Sequence, residues 1–475
     1  MATYLTNGND TYFGTALGDD VFGKDGNDVI FGGDGHDFLA GGDGDDWLNP
    51  GYGLDVLVGG AGSDTVSYAF YGSRVHASLL DGYGKNFSIG PDTDTYFSME
   101  NIEGSGYDDF LEGDNNANVL KGLSGKDDIF GLGGADTIDG GNGDDDIDGG
   151  SGADLLKGGA GDDSIKSGSG ADTLDGGAGR DMADYADSTI AVSVKLTGLA
   201  GVGGHAQGDT YTGIESVQGS QYGDILWGNG GGNTLRGEGG NDEIKGGGGE
   251  DTLFGGDGDN ILEGESGNDT FYAGDGNDQI KGGTGIDLVR YDGSTGVLVN
   301  LSTGQSLNGE AAGDALESVE NLRGSSFYDF FTGDDVANTL MGMGGNDKLS
   351  ALGGNDTVIG GDGIDNVWGG AGLDKFEFRD LDEAGDTIND FVAADDTIVI
   401  WGAGFGGGLM GGSISSLDFV TRADNAAQDV FDRFVFRTTD KTLWFDVDGS
   451  GAAAAILVAD LQQGATMTHA DILIV

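Results

Sequence analysis

The sequence predicts an all-β solenoid of short stacked coils, and three observations carry that prediction. Gly140 to Lys166 reads GGNGDDDID, GGSGADLLK, GGAGDDSIK, three tandem nonapeptides of plan Gly-Gly-x-Gly-x-Asp-x-apolar-x. The chain holds 100 glycines in 475 residues, only 2 prolines and no three-residue collagen period, which points to dense turns. An Asp or Asn returns every nine residues through four long arrays, with an apolar residue two places on.

Within a repeat, the first six residues are too rich in glycine for helix or strand. Glycine loses the most conformational entropy on ordering and is favoured where φ must be positive. The last three residues alternate, as in Asp146-Ile147-Asp148, which suits a very short strand. A turn and a short strand, repeated, make coils that stack.

The sixth-place carboxylates set the chemistry. In stacked coils they fall into columns at roughly the 4.8 Å spacing of paired strands. Like charges that close repel unless a cation sits between them. The donors on offer are oxygens only, carboxylate and glycine-exposed carbonyl, which suits calcium ahead of magnesium. A merely solvated acidic face needs no fixed spacing.

The candidate ligands are Asp10, Asp19, Asp28, Asp37, Asp46, Asp55 and Asp64 in the first array. The second supplies Asp109, Asp127, Asp136, Asp145, Asp154, Asp163, Asp172 and Asp181, and the third Asp224, Asp242, Asp251, Asp269, Asp278 and Asp287. The fourth supplies Asp329, Asp347, Asp356, Asp365 and Asp374. Asn118, Asn233, Asn260 and Asn338 hold the same place with an oxygen but no charge, so sites touching them are expected to be weak or empty.

This nonapeptide resembles that of the RTX, or haemolysin-type calcium-binding, proteins. The resemblance implies a parallel β-roll in which two nonapeptides make one coil and each calcium lies between turns two repeats apart. On that plan the chain takes up multiple calcium ions, roughly 15–20.

Three linking segments interrupt the period and resemble one another. Each opens on a tyrosine (Tyr68, Tyr185, Tyr291), and an alternating strand follows (Val75 to Leu79, Val192 to Leu196, Val297 to Leu301). A Gly-rich loop comes next, and then an Asp six residues before a Glu: Asp94 and Glu100, Asp209 and Glu215, Asp314 and Glu320. They are expected to be wider coils of the same solenoid, with loops 80–93, 197–208 and 302–313 bulging from one side, where a binding surface would usually lie.

Arrays are thus expected at 1–67, 105–184, 220–290 and 325–377, with linking segments at 68–104, 185–219 and 291–324. From about Phe376 larger apolar residues appear, as in Asp432-Arg-Phe-Val-Phe436, and 378–475 is expected to be a β-rich cap, since a solenoid exposes its last coil. This end is similar to the C-terminal region of RTX proteins exported by type I secretion, with an uncleaved signal and an ending such as Asp471-Ile-Leu-Ile-Val475.

Composition narrows function. The formal charge of −62 opposes compaction and predicts a chain largely unfolded without calcium. Nucleic acid and anionic membrane are poor partners for so acidic a surface unless calcium bridges them, and no nucleic-acid partner is expected. The N-terminus has no basic n-region or apolar h-region, and no run approaches a membrane span. The absence of cysteine fits a secreted bacterial protein. His36, His76, His205 and His469 form no H-E-x-x-H zinc motif, and no G-x-S-x-G elbow occurs, so no enzyme is expected. His36, at the fifth place of a repeat, should face solvent. Asp446-Val-Asp448-Gly449-Ser450-Gly451 begins like an EF-hand loop, but Leu457 stands where the bidentate Glu belongs, so a turn between strands is expected.

The expected function is therefore that of a secreted calcium-binding structural protein. It would pass through type I secretion machinery, fold outside the cell, and self-assemble on the cell surface or in extracellular matrix, as surface layers do. The alternative is a secreted adhesin or host-interaction protein that binds saccharide, such as cell-surface polysaccharide, or membrane.

Overall fold

The computed structural model describes residues 2–87, 92–293, 295–406, 408–427, 431–449 and 453–475. The chain divides into two compact units, Met1–Asn229 with Asn233–Glu238, and Gly230–Gly232 with Gly239–Val475. Each is a parallel β-solenoid.

In the first unit two ladders advance by eighteen residues per coil. One runs Leu120, Ile138, Leu156, Leu174, the other Leu111, Ile129, Ile147, Ile165, Ala183. These eighth-place side chains are all fully buried, so the interior is two aliphatic columns. Burying each leucine or isoleucine contributes about 1.5–3 kcal/mol. Reversal between strands falls on the second and fourth places, where Gly141 and Gly143 take φ of 110° and 130°, a region costly to any residue with a Cβ.

The second unit repeats the plan through Ile244, Leu262 and Ile280 and through Leu340, Val358, Phe376 and Ile398. Past the last nonapeptide the ladders continue with longer steps. Asp386–Ile388 pairs with Asn366–Trp368, Thr397–Trp401 with Lys375–Asp380, and Ile472–Ile474 with Thr397–Trp401. Antiparallel strands Phe434–Arg437, Thr442–Phe445 and Ile456–Leu461 then close that side. Gly402–Phe405 is the one α-helix among the described residues, and no helix is long and apolar enough to cross a membrane.

The wider coils expected of the linking segments are not confirmed; antiparallel excursions occupy the ladder there. In the first segment Val75–Ser78 pairs antiparallel with Tyr83–Asn86, which pairs antiparallel with Asp92–Phe97. The outer strands rejoin the parallel ladder, Thr95–Phe97 on Val56–Val58 and His76–Ser78 on Phe110–Glu112. Leu298–Asn300, Gln305–Leu307 and Ala315–Glu317 repeat this in the third. The second keeps the outer strands, Ser193–Lys195 and Thr210–Thr212, with a 3-10 turn at Gly204–Ala206. Residues 88–91 of the first loop, and Ser450 and Gly451 of the EF-hand-like stretch, lie outside the described residues.

Candidate metal centres

Stacking places each sixth-place Asp directly over the one eighteen residues earlier, and the backbone fixes its side chain. The N–H of Asp136 donates to Asp154 Oδ1 at 2.8 Å, and the N–H of Asp154 to Asp172 Oδ1 at 2.8 Å. The same bond joins Asp28 to Asp46, Asp127 to Asp145, Asp251 to Asp269 and Asp347 to Asp365. One oxygen of each carboxylate is thus spent on the neighbouring coil.

In many coils the other oxygen has no partner. Oδ2 of Asp28, Asp37, Asp46 and Asp64, of Asp127 through Asp181 at every ninth residue, and of Asp269, Asp278, Asp287, Asp347, Asp356, Asp365 and Asp374 is buried and accepts no hydrogen bond. A buried carboxylate oxygen left unpaired is among the costlier defects a fold can carry. Beside most of these oxygens the space is kept open by a first-place glycine, though Ser167, Ala273 and Ala351 hold that place before Asp172, Asp278 and Asp356. A Cβ on Gly149 would lie 2.9 Å from Asp154 Oδ2 and 2.8 Å from the carbonyl oxygen of Ser167 in the next coil. Two acceptors thus converge with no donor between them, an arrangement suited to a hard cation.

Burial raises these carboxyl pKa values, to about 7 for Asp127, Asp145 and Asp172 and about 8 for Asp347. Lost hydration is the largest cause, the N–H from the preceding coil opposes it, and like charge on neighbouring carboxylates adds to it. For these four, a cation enters among the causes only at Asp145, where Lys126 opposes the rise as the smallest influence. Among the described residues no three carboxylates or imidazoles converge on one point, so an ion here must draw on backbone carbonyls as well. The donor set fits calcium.

Not every expected ligand is so placed. The Asp that opens a column has its second oxygen taken by the residue four places before it. Thr6 donates to Asp10, Thr15 to Asp19, Ser105 to Asp109, Ser220 to Asp224 and Ser325 to Asp329. Asp10 and Asp19 are also only half-buried. Asn118, Asn233 and Asn338 put an amide N–H where the others have a bare oxygen, donating to the carbonyls of Glu100, Glu215 and Glu320 at 2.7, 3.1 and 2.9 Å.

Sequence reasoning missed two features. The fifth-place side chains make a second ladder of opposite sense: Asp144 Oδ1 accepts the N–H of Asp162 at 2.9 Å, and His36, exposed, accepts that of Leu54. The linking-segment acids also finish the columns. Asp55, Asp172 and Asp278 donate their N–H to Asp94, Asp209 and Asp314, while Asp64, Asp181 and Asp287 donate to Glu100, Glu215 and Glu320. The fourth array ends the same way on Asp386 and Asp396. The recurring Asp–Glu spacing was the available signal.

Comparison with known proteins gives one family and partial likenesses to a number of solved structures. A family model for the haemolysin-type RTX calcium-binding nonapeptide repeat (4 copies) matches residues 13–48, 49–67, 99–183 in three overlapping copies, 210–289 in four, and 319–377 in three. No curated protein matches. Among solved structures, the AlgE6R3 subunit of the Azotobacter vinelandii mannuronan C5-epimerase is 26% identical with a TM-score of 0.22, over 31% of this chain and 78% of that one. The extracellular lipase LipA of Serratia marcescens is 17% identical with a TM-score of 0.19, over 50% of this chain and 40% of that one.

Proposed function

We propose a function from one premise: this chain belongs to the RTX calcium-binding nonapeptide-repeat family, whose model matches more than half of its length. Its repeats bind calcium. On our reading the ligands are the interior sixth-place Asp residues, with the first-place carbonyl of the following coil, as Asp154 with Ser167 and its counterparts along each column. When bound, the ion supplies positive charge to the buried columns.

The protein's own groups do the rest. The backbone N–H of one Asp aims the next Asp, so each coil orients the ligand of the coil after it. The first-place glycine keeps the cradle clear, and the eighth-place aliphatics exclude water from its inner side. Folding and metal uptake are then one process, and a formal charge of −62 keeps the metal-free chain expanded. Such a chain would cross a type I secretion channel unfolded where calcium is scarce, and fold outside where it is millimolar. The role that follows is a secreted scaffold, without catalysis, that assembles on the cell surface or in matrix.

The observation carrying this reading is the row of buried, unpaired Oδ2 atoms. Far-UV circular dichroism during calcium titration tests it; a β spectrum indifferent to chelator would overturn the coupling. Electron microscopy with and without calcium tests assembly, for which sheets or filaments are expected.

One observation favours the second reading, a saccharide-binding adhesin. Phe13 and Phe31 stack at 4.8 Å and Tyr4 and Phe22 at 4.9 Å along the first unit, with Phe13 and Tyr4 70% and 65% exposed. Monodisperse particles that bind a glycan array would decide for it.

A further inference from the structure

Two Asp columns enter each linking segment, and they end differently. In one, the last carboxylate has both oxygens engaged. Asp209 accepts the N–H of Asp172 at 2.9 Å and the hydroxyl of Tyr185 at 2.8 Å. Asp94 with Tyr68 and Asp314 with Tyr291 repeat the pairing at 3.0 and 3.2 Å, and all three tyrosines are buried to within 1% exposure. In these columns the first place before the last sixth-place Asp is Pro50, Ser167 or Ala273 instead of glycine. Leu5 and Ala351 are the remaining exceptions to glycine at that place. Each puts a side-chain carbon where other coils leave room.

The companion column ends on a glutamate. Glu100, Glu215 and Glu320 accept the N–H of Asp64, Asp181 and Asp287 through one oxygen, at 2.8, 3.1 and 2.9 Å. Here the first place stays glycine, at Gly59, Gly176 and Gly282. A Cβ on any of them would overlap the unpaired Oδ2 of the adjacent Asp and a carbonyl oxygen, that of Ser98, Gly213 or Ser318. Those three carbonyl-bearing residues share a left-handed backbone, φ 52°, 59° and 53°, two places before the glutamate. Asp64, Asp181 and Asp287 are fully buried, and the cradle matches that at Gly149 in the array interior.

We propose that each linking segment carries a calcium site of its own on the glutamate-ended column. It is formed by Asp64 and Glu100, Asp181 and Glu215, and Asp287 and Glu320 with the carbonyls named above; the tyrosine-closed column beside it ends without an ion. The linking segments are thereby metal-bearing on one side and hydroxyl-locked on the other, so the two columns of an array take up different numbers of ions. This rests on the reading of the sixth-place Asp residues as calcium ligands.

The test counts calcium bound per chain in the full-length, calcium-loaded protein after gel filtration, by atomic emission, with circular dichroism to verify folding. The triple variant Glu100→Gln, Glu215→Gln, Glu320→Gln is expected to lose about one ion per altered glutamate. The triple variant Asp94→Asn, Asp209→Asn, Asp314→Asn is expected to lose none, and Tyr185→Phe to lower the melting temperature with the count unchanged. Asp154→Asn serves as the control and should lose an ion. If it does not, the underlying calcium reading fails. If the control loses its ion while the glutamate variant keeps the full count, or the Asp94, Asp209, Asp314 variant loses any, this proposal is overturned. Should a triple variant not fold, Glu215→Gln alone discriminates in the same way, by the loss or retention of about one ion.

Discussion

Asp154 accepts the N–H of Asp136 from the coil before it at 2.8 Å, on one carboxylate oxygen only. The other oxygen is buried beside the Ser167 carbonyl with no donor in reach. This split separates two contributions to stability: a hydrogen bond that exists without metal, and a charge that needs one.

Replacing Asp154 tests the separation. Asp154→Ala removes the acceptor as well as the charge, and a buried N–H left unmet costs about 1–3 kcal/mol. Urea unfolding in calcium should show that loss together with the loss of an ion. Asp154→Asn keeps the acceptor and turns the bare oxygen into a donor, as Asn260 does toward the Gly258 carbonyl at 3.0 Å. It should bind less calcium, yet in calcium unfold at higher urea than Asp154→Ala. Equal midpoints for parent and Asp154→Ala in calcium would refute the ladder.

The stability of calcium-stripped protein should fall as pH rises. Carboxyls at about 7 in Asp127, Asp145 and Asp172 and about 8 in Asp347, against a usual 3.8, hold more protons folded than unfolded. The stabilisation is full below about pH 4 and is lost as pH climbs through the folded-state values, with most of the change between about pH 4 and 8. Acidifying the stripped protein from pH 8 to 5 is expected to increase its β signal. Calcium should reverse the trend, because protons compete with the ion for the same oxygens. A stripped protein that gains stability with rising pH contradicts the buried placement.

Glycine at the first place is there for space. Gly149→Ala would set a carbon 2.9 Å from Asp154 Oδ2 and 2.8 Å from the Ser167 carbonyl. Overpacking of that kind costs about 1–3 kcal/mol and should also weaken calcium binding. Gly106→Ala, with nothing within 4 Å of the added carbon, should stay within about 0.5 kcal/mol of the parent. Calorimetric calcium titration of both variants measures the difference; equal affinities would show that the cradle plays no part in binding.

Much of this was legible from period alone. A nine-residue return fixes Asp154 and Leu156 to one turn and one strand, and stacking puts Asp136 and Asp172 in line with Asp154. The period is silent where it breaks. Asp386 and Asp396 follow Asp365 and Asp374 by 21 and 22 residues, so a nine-residue search passes over them. The roles of Asp94 and Glu100 depend on Asp55 and Asp64 lying one coil away, which spacing along the chain does not reveal. Alternation in Val75 to Leu79 identifies a strand but cannot give the direction of its partner, so the antiparallel pairing there was not legible. The fifth-place ladder left no trace because Asn, Asp and His serve it equally well.

The last strand gives a final test. Ile472–Ile474 lies parallel on Ile398–Ile400, and Ile472, Ile474, Ile398 and Ile400 are all at most 2% exposed. Removing 472–475 strips two buried side chains, about 3–6 kcal/mol, and bares a strand edge that can pair with another chain. The nonapeptide arrays are untouched, because their ligands come from adjacent coils within each array. A truncated chain should therefore bind nearly as much calcium as the parent, while binding a hydrophobic dye and associating as concentration rises. Calcium counting with light scattering decides between outcomes. A large loss of calcium would make the terminal strand a condition for folding the arrays instead of a cover for their final coil.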